Sequence, residues 1–189
     1  YITDNKLINV TIIGHSMGGN LAIDLAASLG NRITKLVLVD AIPCMRELMM
    51  PGVPANALQY ESPYNNQMLQ MPAEGFKQMA GGMASNMSSR SDKVGLLTSW
   101  ILASDRKTYV YGFTDLLKLD LRDTLKSVSA KTLVVGASFP TAEQAKGVFE
   151  SQYANLSNKH ITIAPANCKH FVMFDAAEWF YSQLNKFLE

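Results

Sequence analysis

Gly14-His15-Ser16-Met17-Gly18 fits G-x-S-x-G, a spacing that lets a serine hydroxyl act as a nucleophile. The pattern is short and carries little weight alone. Its setting strengthens it, because the β-branched run Asn9-Val10-Thr11-Ile12-Ile13 precedes it and a helical stretch from Met17 to Leu29 follows. A strand-to-helix turn this tight forces the serine into a strained conformation. Gly14 and Gly18 are expected to remove side chains that would collide there, and Gly19 to let helix and strand approach closely. Ser16 would then stand at the positive end of the helix, and the Met17 N–H would donate to an oxyanion. The competing reading is a serine helix cap with two incidental glycines.

A serine nucleophile needs a base, and three histidines are available. His170 lies after the last strand-like run and before the last helix-like one, so a neutral imidazole there could take the serine proton and return it to a leaving group. His15 is read as a packed or structural neighbour of the nucleophile, and His160 as a surface residue at a strand start. For the acid, Asp40 closes the apolar run Lys35-Leu36-Val37-Leu38-Val39. It would emerge at the same C-terminal edge of a parallel sheet as Ser16 and accept the second imidazole N–H. An aspartate at such a place can also serve only to tie down loops. Asp115, Asp120, Asp123 and Asp175 read as caps and surface charges, and Glu143 as solvent-facing.

The elements that must position these residues follow from the apolar pattern. Strand, helix and strand up to Asp40 form a βαβ unit, hence a parallel sheet. Residues 41–119 change character: five prolines break a helical pattern, and eight of the ten methionines lie between Ala41 and Met87. These methionines suit either an adaptable apolar pocket or plain interface filling. Tyr60, Tyr64, Trp100, Tyr109, Tyr111 and Phe113 could line the same cavity. Afterwards the rhythm resumes with a short helix over Asp120–Val128, a strand Lys131–Gly136, a helix from Thr141 to about Ala154, a strand His160–Ala164 and a closing helix over Phe171–Leu188. The expected organisation is core sheet 1–40, helical insert 41–119 and core sheet 120–189.

The 189 residues fit one domain-sized core, with 48% hydrophobic and 17% charged residues. Seventeen basic against sixteen acidic residues give a net charge of +1, which offers no footprint for nucleic acid. No apolar run approaches the roughly 18–20 residues that span a bilayer. Cys44 and Cys168 read as free thiols, and they form no metal-ligand cluster with the histidines. No cofactor is called for. The compartment stays open because the chain begins at Tyr1.

Gly14-His15-Ser16-Met17-Gly18-Gly19, followed by Leu36-Val37-Leu38-Val39-Asp40, resembles the fifth and sixth strands of the α/β-hydrolase superfamily. His170-Phe171-Val172-Met173-Phe174 resembles its histidine loop. The resemblance implies an α/β-hydrolase fold, a mostly parallel sheet with helices on both faces and a helical cap inserted after the second visible strand. It departs in one place. Most members carry an aspartate just past the strand that here reads Leu133-Val134-Val135-Gly136, where this chain has Ala137-Ser138-Phe139-Pro140. A minority place the acid where Asp40 stands.

The resemblance also implies four strands before the nucleophile strand, one loop of which brings a second oxyanion donor. Only nine residues precede Val10. With Met17 as its one donor the site would lose about 10²–10³ in rate. The Val10 strand would be an unprotected apolar edge. The expectation is a longer protein whose missing N-terminal segment completes the sheet, or else a homodimer through that edge or poor solubility. A serine nucleophile disfavours the aspartate chemistry of the family's epoxide hydrolases and haloalkane dehalogenases. A small-molecule substrate with an ester-like bond is expected, with C–C bond hydrolysis, perhydrolysis or a low-turnover receptor as alternatives.

Overall fold

A computed structural model describes all residues, Tyr1–Glu189. The chain divides into two compact units, one of Tyr1–Pro43 with Leu121–Glu189 and the other Cys44–Asp120.

The first unit is built on a four-stranded sheet of β1 (Val10–His15), β2 (Ile33–Val39), β3 (Lys131–Gly136) and β4 (Lys159–Ile163), in that spatial order. All three pairings are parallel, and the register sets Gly14 beside Leu38, Leu38 beside Val134, and Val134 beside Ile161. The strands thus end together, and residues at their C-terminal ends share one edge.

Alternation along each strand sorts the side chains. Val37, Val39, Leu133 and Val135 pack with Cys168, Val172, Phe180 and Phe187 on one face. Their neighbours Leu36, Leu38 and Val134 are buried on the other. Gly136 belongs to that second face, where a Cβ would press on the Phe149 ring of helix Ala142–Gln152. Helix α1 (Met17–Leu29) lies on the Gly14 side of β1 and buries Ala22, Ile23 and Ala26. The sheet is therefore covered on both faces, as buried parallel strands require.

Two expected elements differ. Asp120–Val128 is not an α-helix but one 3₁₀ turn, Thr124–Ser127. Leu121 donates to the Pro43 carbonyl and Leu125 to that of Leu121, so the segment is held by buried Leu121, Leu125 and Val128 rather than by helical repetition. The closing helix is also interrupted. A short piece, Val172–Asp175, precedes Ala177–Leu188, with Ala176 between them at φ −138° and ψ 56°. The Asp175 carboxylate is occupied by the Lys169 N–H at 2.8 Å, which fastens the loop before the short piece.

The second unit is helical, with α2 (Met45–Met49), α3 (Pro63–Gln70), α4 (Ala73–Met87), α5 (Ser91–Ala103) and α6 (Arg106–Lys118). Its prolines start helices rather than break them. Pro63 opens α3 behind the Ser62 cap, and Pro72 precedes α4. The first unit's remaining helices are α7 (Ala142–Gln152), α8 (Val172–Asp175) and α9 (Ala177–Leu188).

Met68, Phe76, Ala80, Ile101 and Val110 form the helical unit's own core, joined by Met71, Met79 and Met83. Those four methionines therefore fill space inside this unit. Met49 and Met50 instead line a cavity of about 570 Å³ with Leu58, Phe113 and Leu117. Cys44 and Cys168 are both free and buried. No helix is long and apolar enough to cross a membrane.

Candidate active site

β1 delivers Ser16 to the sheet edge. The serine has φ 55° and ψ −128°, a conformation costly for any residue with a Cβ. Its N–H donates to the Val39 carbonyl at 2.9 Å, and its own carbonyl accepts from Gly19 at 2.8 Å, so the backbone is held from both sides. Although Ser16 occupies the cap position of α1, its side chain makes no capping bond. The hydroxyl is not spent on the helix end. Met17 supplies the first amide of α1, which has no acceptor within the helix.

The glycines divide in their roles. A Cβ on Gly14 would lie 2.4 Å from the Gly18 carbonyl oxygen and 2.7 Å from the Gly19 Cα. A Cβ on Gly19 would lie 2.4 Å from the Ala41 Cβ. Gly18 corrects the expectation of a collision, because a Cβ there would meet nothing within 4 Å. It faces away from the turn that Gly14 and Gly19 make possible.

β2 delivers Asp40, which has φ +44° and is, with Ser16, one of five non-glycine residues at positive φ. One carboxylate oxygen accepts from the Ala137 N–H at 2.8 Å, at the head of β3. The other lies 2.6 Å from His170 Nδ1. A carboxylate oxygen can only accept here, so Nδ1 carries the proton and Nε2 is left as the basic nitrogen. Both side chains are largely shielded, with 16% of Asp40 and 24% of His170 exposed. The structure therefore brings His170 and Asp40 together. Ser16 stands at the same strand ends, with no hydrogen bond to the imidazole. Such bonds commonly tighten only with substrate.

His15 packs beside the turn and braces the histidine loop. Its Nε2 lies 3.0 Å from the His170 carbonyl, and the two rings are 4.5 Å apart. The carbonyl must accept, which fixes the proton on Nε2 of His15. Burial, and then the nearby His170, hold the His15 pKa below the ordinary histidine value. A neutral His15 thus supports the His170 backbone without placing a second positive charge beside it.

Ser138, in the Ala137–Pro140 stretch that carries no carboxylate, is 2% exposed and fastens the histidine loop. Its hydroxyl donates to the Pro165 carbonyl at 2.6 Å and accepts from the Cys168 N–H at 3.0 Å. Nothing in its sequence neighbourhood signals this, since both partners are backbone groups some thirty residues away. Asp115 pairs with the Tyr60 hydroxyl inside the helical unit, and no cluster of three or more His, Cys, Asp or Glu side chains could hold a metal.

The family model described as "Alpha/beta hydrolase family" matches residues 5–183. A search of the curated proteins gives no match. Among solved structures, the chain is similar to the enol-lactonase from Burkholderia xenovorans LB400, with a TM-score of 0.72 and 15% identity. That match covers 99% of this chain and 68% of the other. An esterase from Exiguobacterium antarcticum matches with a TM-score of 0.73 and 19% identity, over 98% of this chain and 68% of that one. A bromoperoxidase from Bacillus anthracis matches with a TM-score of 0.76 and 16% identity, over 99% and 70%. At such identities these likenesses establish the fold, and the sequence family rests on the match over residues 5–183. With a parallel sheet, a helical insertion after its second strand and a strained serine at the first strand's end, the chain belongs to the alpha/beta hydrolase family.

Proposed function

We propose that this protein is a serine hydrolase cleaving an ester-like bond of a small or medium, apolar substrate through Ser16, His170 and Asp40. The observation that carries this reading is the 2.6 Å contact between His170 Nδ1 and Asp40, at the sheet edge where Ser16 is held. In the first step Ser16 Oγ attacks the carbonyl carbon while His170 Nε2 takes the hydroxyl proton. Asp40 stabilises the resulting imidazolium, and the Met17 N–H donates to the oxyanion. The carbon–oxygen bond then breaks, and the leaving alcohol receives the proton from His170. A water molecule, activated by the same imidazole, hydrolyses the acyl-enzyme.

The test is labelling by a fluorophosphonate probe, read by intact mass. Rapid single labelling that disappears in Ser16→Ala is the expected result. A panel of esters, thioesters, C–C diketones and peracid formation then assigns the reaction. A folded protein that takes no label would overturn the reading in favour of a hydrolase-like receptor.

A further inference from the structure

Asp40 has φ +44°, in the left-handed region that aspartate visits more readily than most residues but still less readily than glycine. A left-handed non-glycine residue costs on the order of 1–2 kcal/mol and persists only where its surroundings over-determine it. The surroundings here can be traced bond by bond. The Asp40 N–H donates to the Val135 carbonyl at 2.7 Å. The next carbonyl, Ala41, accepts from the Tyr153 hydroxyl at 2.7 Å. The one after, Ile42, accepts from Asn20 Nδ2 at 3.0 Å. Two consecutive peptide carbonyls are thus gripped by side chains from two different helices.

Neither grip is incidental to packing. Tyr153 is 0% exposed and stacks with Phe149, Asn20 is 1% exposed, and each directs a buried polar group at one of these carbonyls. Burial, with Asp40 adding to it, drives the Tyr153 phenol far above its ordinary pKa, so its hydroxyl is a fixed donor. Asn20 lies four residues after Ser16 on the same helix, and Gly19 beside it admits Ala41 at close range. The acid's turn is therefore docked on the first turn of the nucleophile's helix.

We propose that Asn20 and Tyr153 are positioning residues that hold the Asp40 turn, and through it the imidazole, in register with Ser16. This rests on the reading of Asp40 as the triad acid. Neither side chain touches substrate, so their removal acts through Asp40. Tyr153→Phe deletes one oxygen, and Asn20→Leu replaces a buried donor by a side chain of similar volume.

The experiment is steady-state ester hydrolysis by the full chain for both variants, alone and in an Asp40→Asn background. Thermal unfolding and the downfield proton signal of the His170–Asp40 hydrogen bond are recorded beside it. Each single variant is expected to lower kcat by about 10- to 100-fold with KM unchanged, in line with an ångström-scale misplacement. Each should also shift or broaden the downfield signal, and neither should add loss in the Asp40→Asn background. If both variants keep kcat and the signal while only the unfolding temperature falls, the side chains are merely structural and the proposal fails. Should Asn20→Leu not fold, Tyr153→Phe decides alone. Asp40→Asn with wild-type kcat would instead overturn the triad reading itself, which separates the two failures.

Discussion

Asp40→Asn is the sharpest test of the proposed acid, because the structure dictates how the new amide must orient. The carboxylate accepts two hydrogen bonds, from Ala137 N–H at 2.8 Å and His170 Nδ1–H at 2.6 Å. An asparagine has one oxygen and one NH₂ to offer in their place. If its oxygen stays with the Ala137 N–H, which can only donate, the NH₂ meets His170 Nδ1 and forces the proton onto Nε2. The base is then lost. If the oxygen turns to His170, the buried Ala137 N–H is stranded against an NH₂ at a cost of about 1–3 kcal/mol. That leaves between roughly one-fifth and one in 150 molecules productive. Loss of the charge-assisted bond to the imidazolium removes a further 1–2 kcal/mol or so. Together these predict a fall in kcat of about 30- to 5,000-fold, the upper end approaching what a wrong tautomer costs in serine proteases. The assay is turnover of a chromogenic ester alongside fluorophosphonate labelling, with circular dichroism confirming the fold. A folded Asp40→Asn within fivefold of wild type would refute the assignment and the tautomer argument with it.

Gly14→Ala should abolish labelling and lower the unfolding free energy measured in urea by about 1–3 kcal/mol or more, since its Cβ meets fixed backbone at 2.4 Å. Gly18→Ala, facing open space, should cost far less on the same measurement. Stability should fall on acidification below about pH 6.5, as His15 in the unfolded chain takes up a proton that the folded chain resists. The loss runs down to the depressed folded pKa, and His15→Gln should flatten it in unfolding temperatures measured from pH 7 to 5. β1 is the edge of the sheet, and Ile8, Ile13, Leu21 and Leu25 near it are 70%, 51%, 59% and 46% exposed. The 189-residue chain should therefore self-associate with rising concentration in light scattering, and an Ile13→Lys variant should do so less.

The strands and the strand-to-helix turn at Ser16 were legible because their signals are local. Val10–His15 and Lys131–Gly136 are β-branched runs closed by turn residues, and Met17–Leu29 carries a helical stripe ended by Gly30. The misjudged segments are those where tertiary bonds overrule periodicity. Leu121, Leu125 and Val128 have helical spacing, yet the segment is anchored to Pro43 and turns only once. The methionines were ambiguous for the same reason. Met68 and Met49 look alike in sequence, but one fills a core and the other lines a cavity.

The candidate acid was legible only as a place at a shared edge, because which carboxylate reaches the histidine depends on register. In a parallel sheet β2 and β3 end side by side, with Val39 opposite Val135. An acid at the end of either strand is then within one strand spacing of the other, about 4.8 Å. Here the left-handed turn at Asp40 swings the carboxylate across that gap until it accepts the Ala137 N–H at the head of β3. The chain thus brings a carboxylate to β3 without encoding one there, and in the stretch that follows the strand Ser138 fastens the loop that carries His170. A carboxylate placed at position 138 would therefore not simply add a second acid. It would place an uncompensated charge against the Pro165 carbonyl and release the histidine loop, so Ser138→Asp should lower activity even with Asp40 intact. Wild-type kcat in that variant would show that the two loops are not coupled in this way.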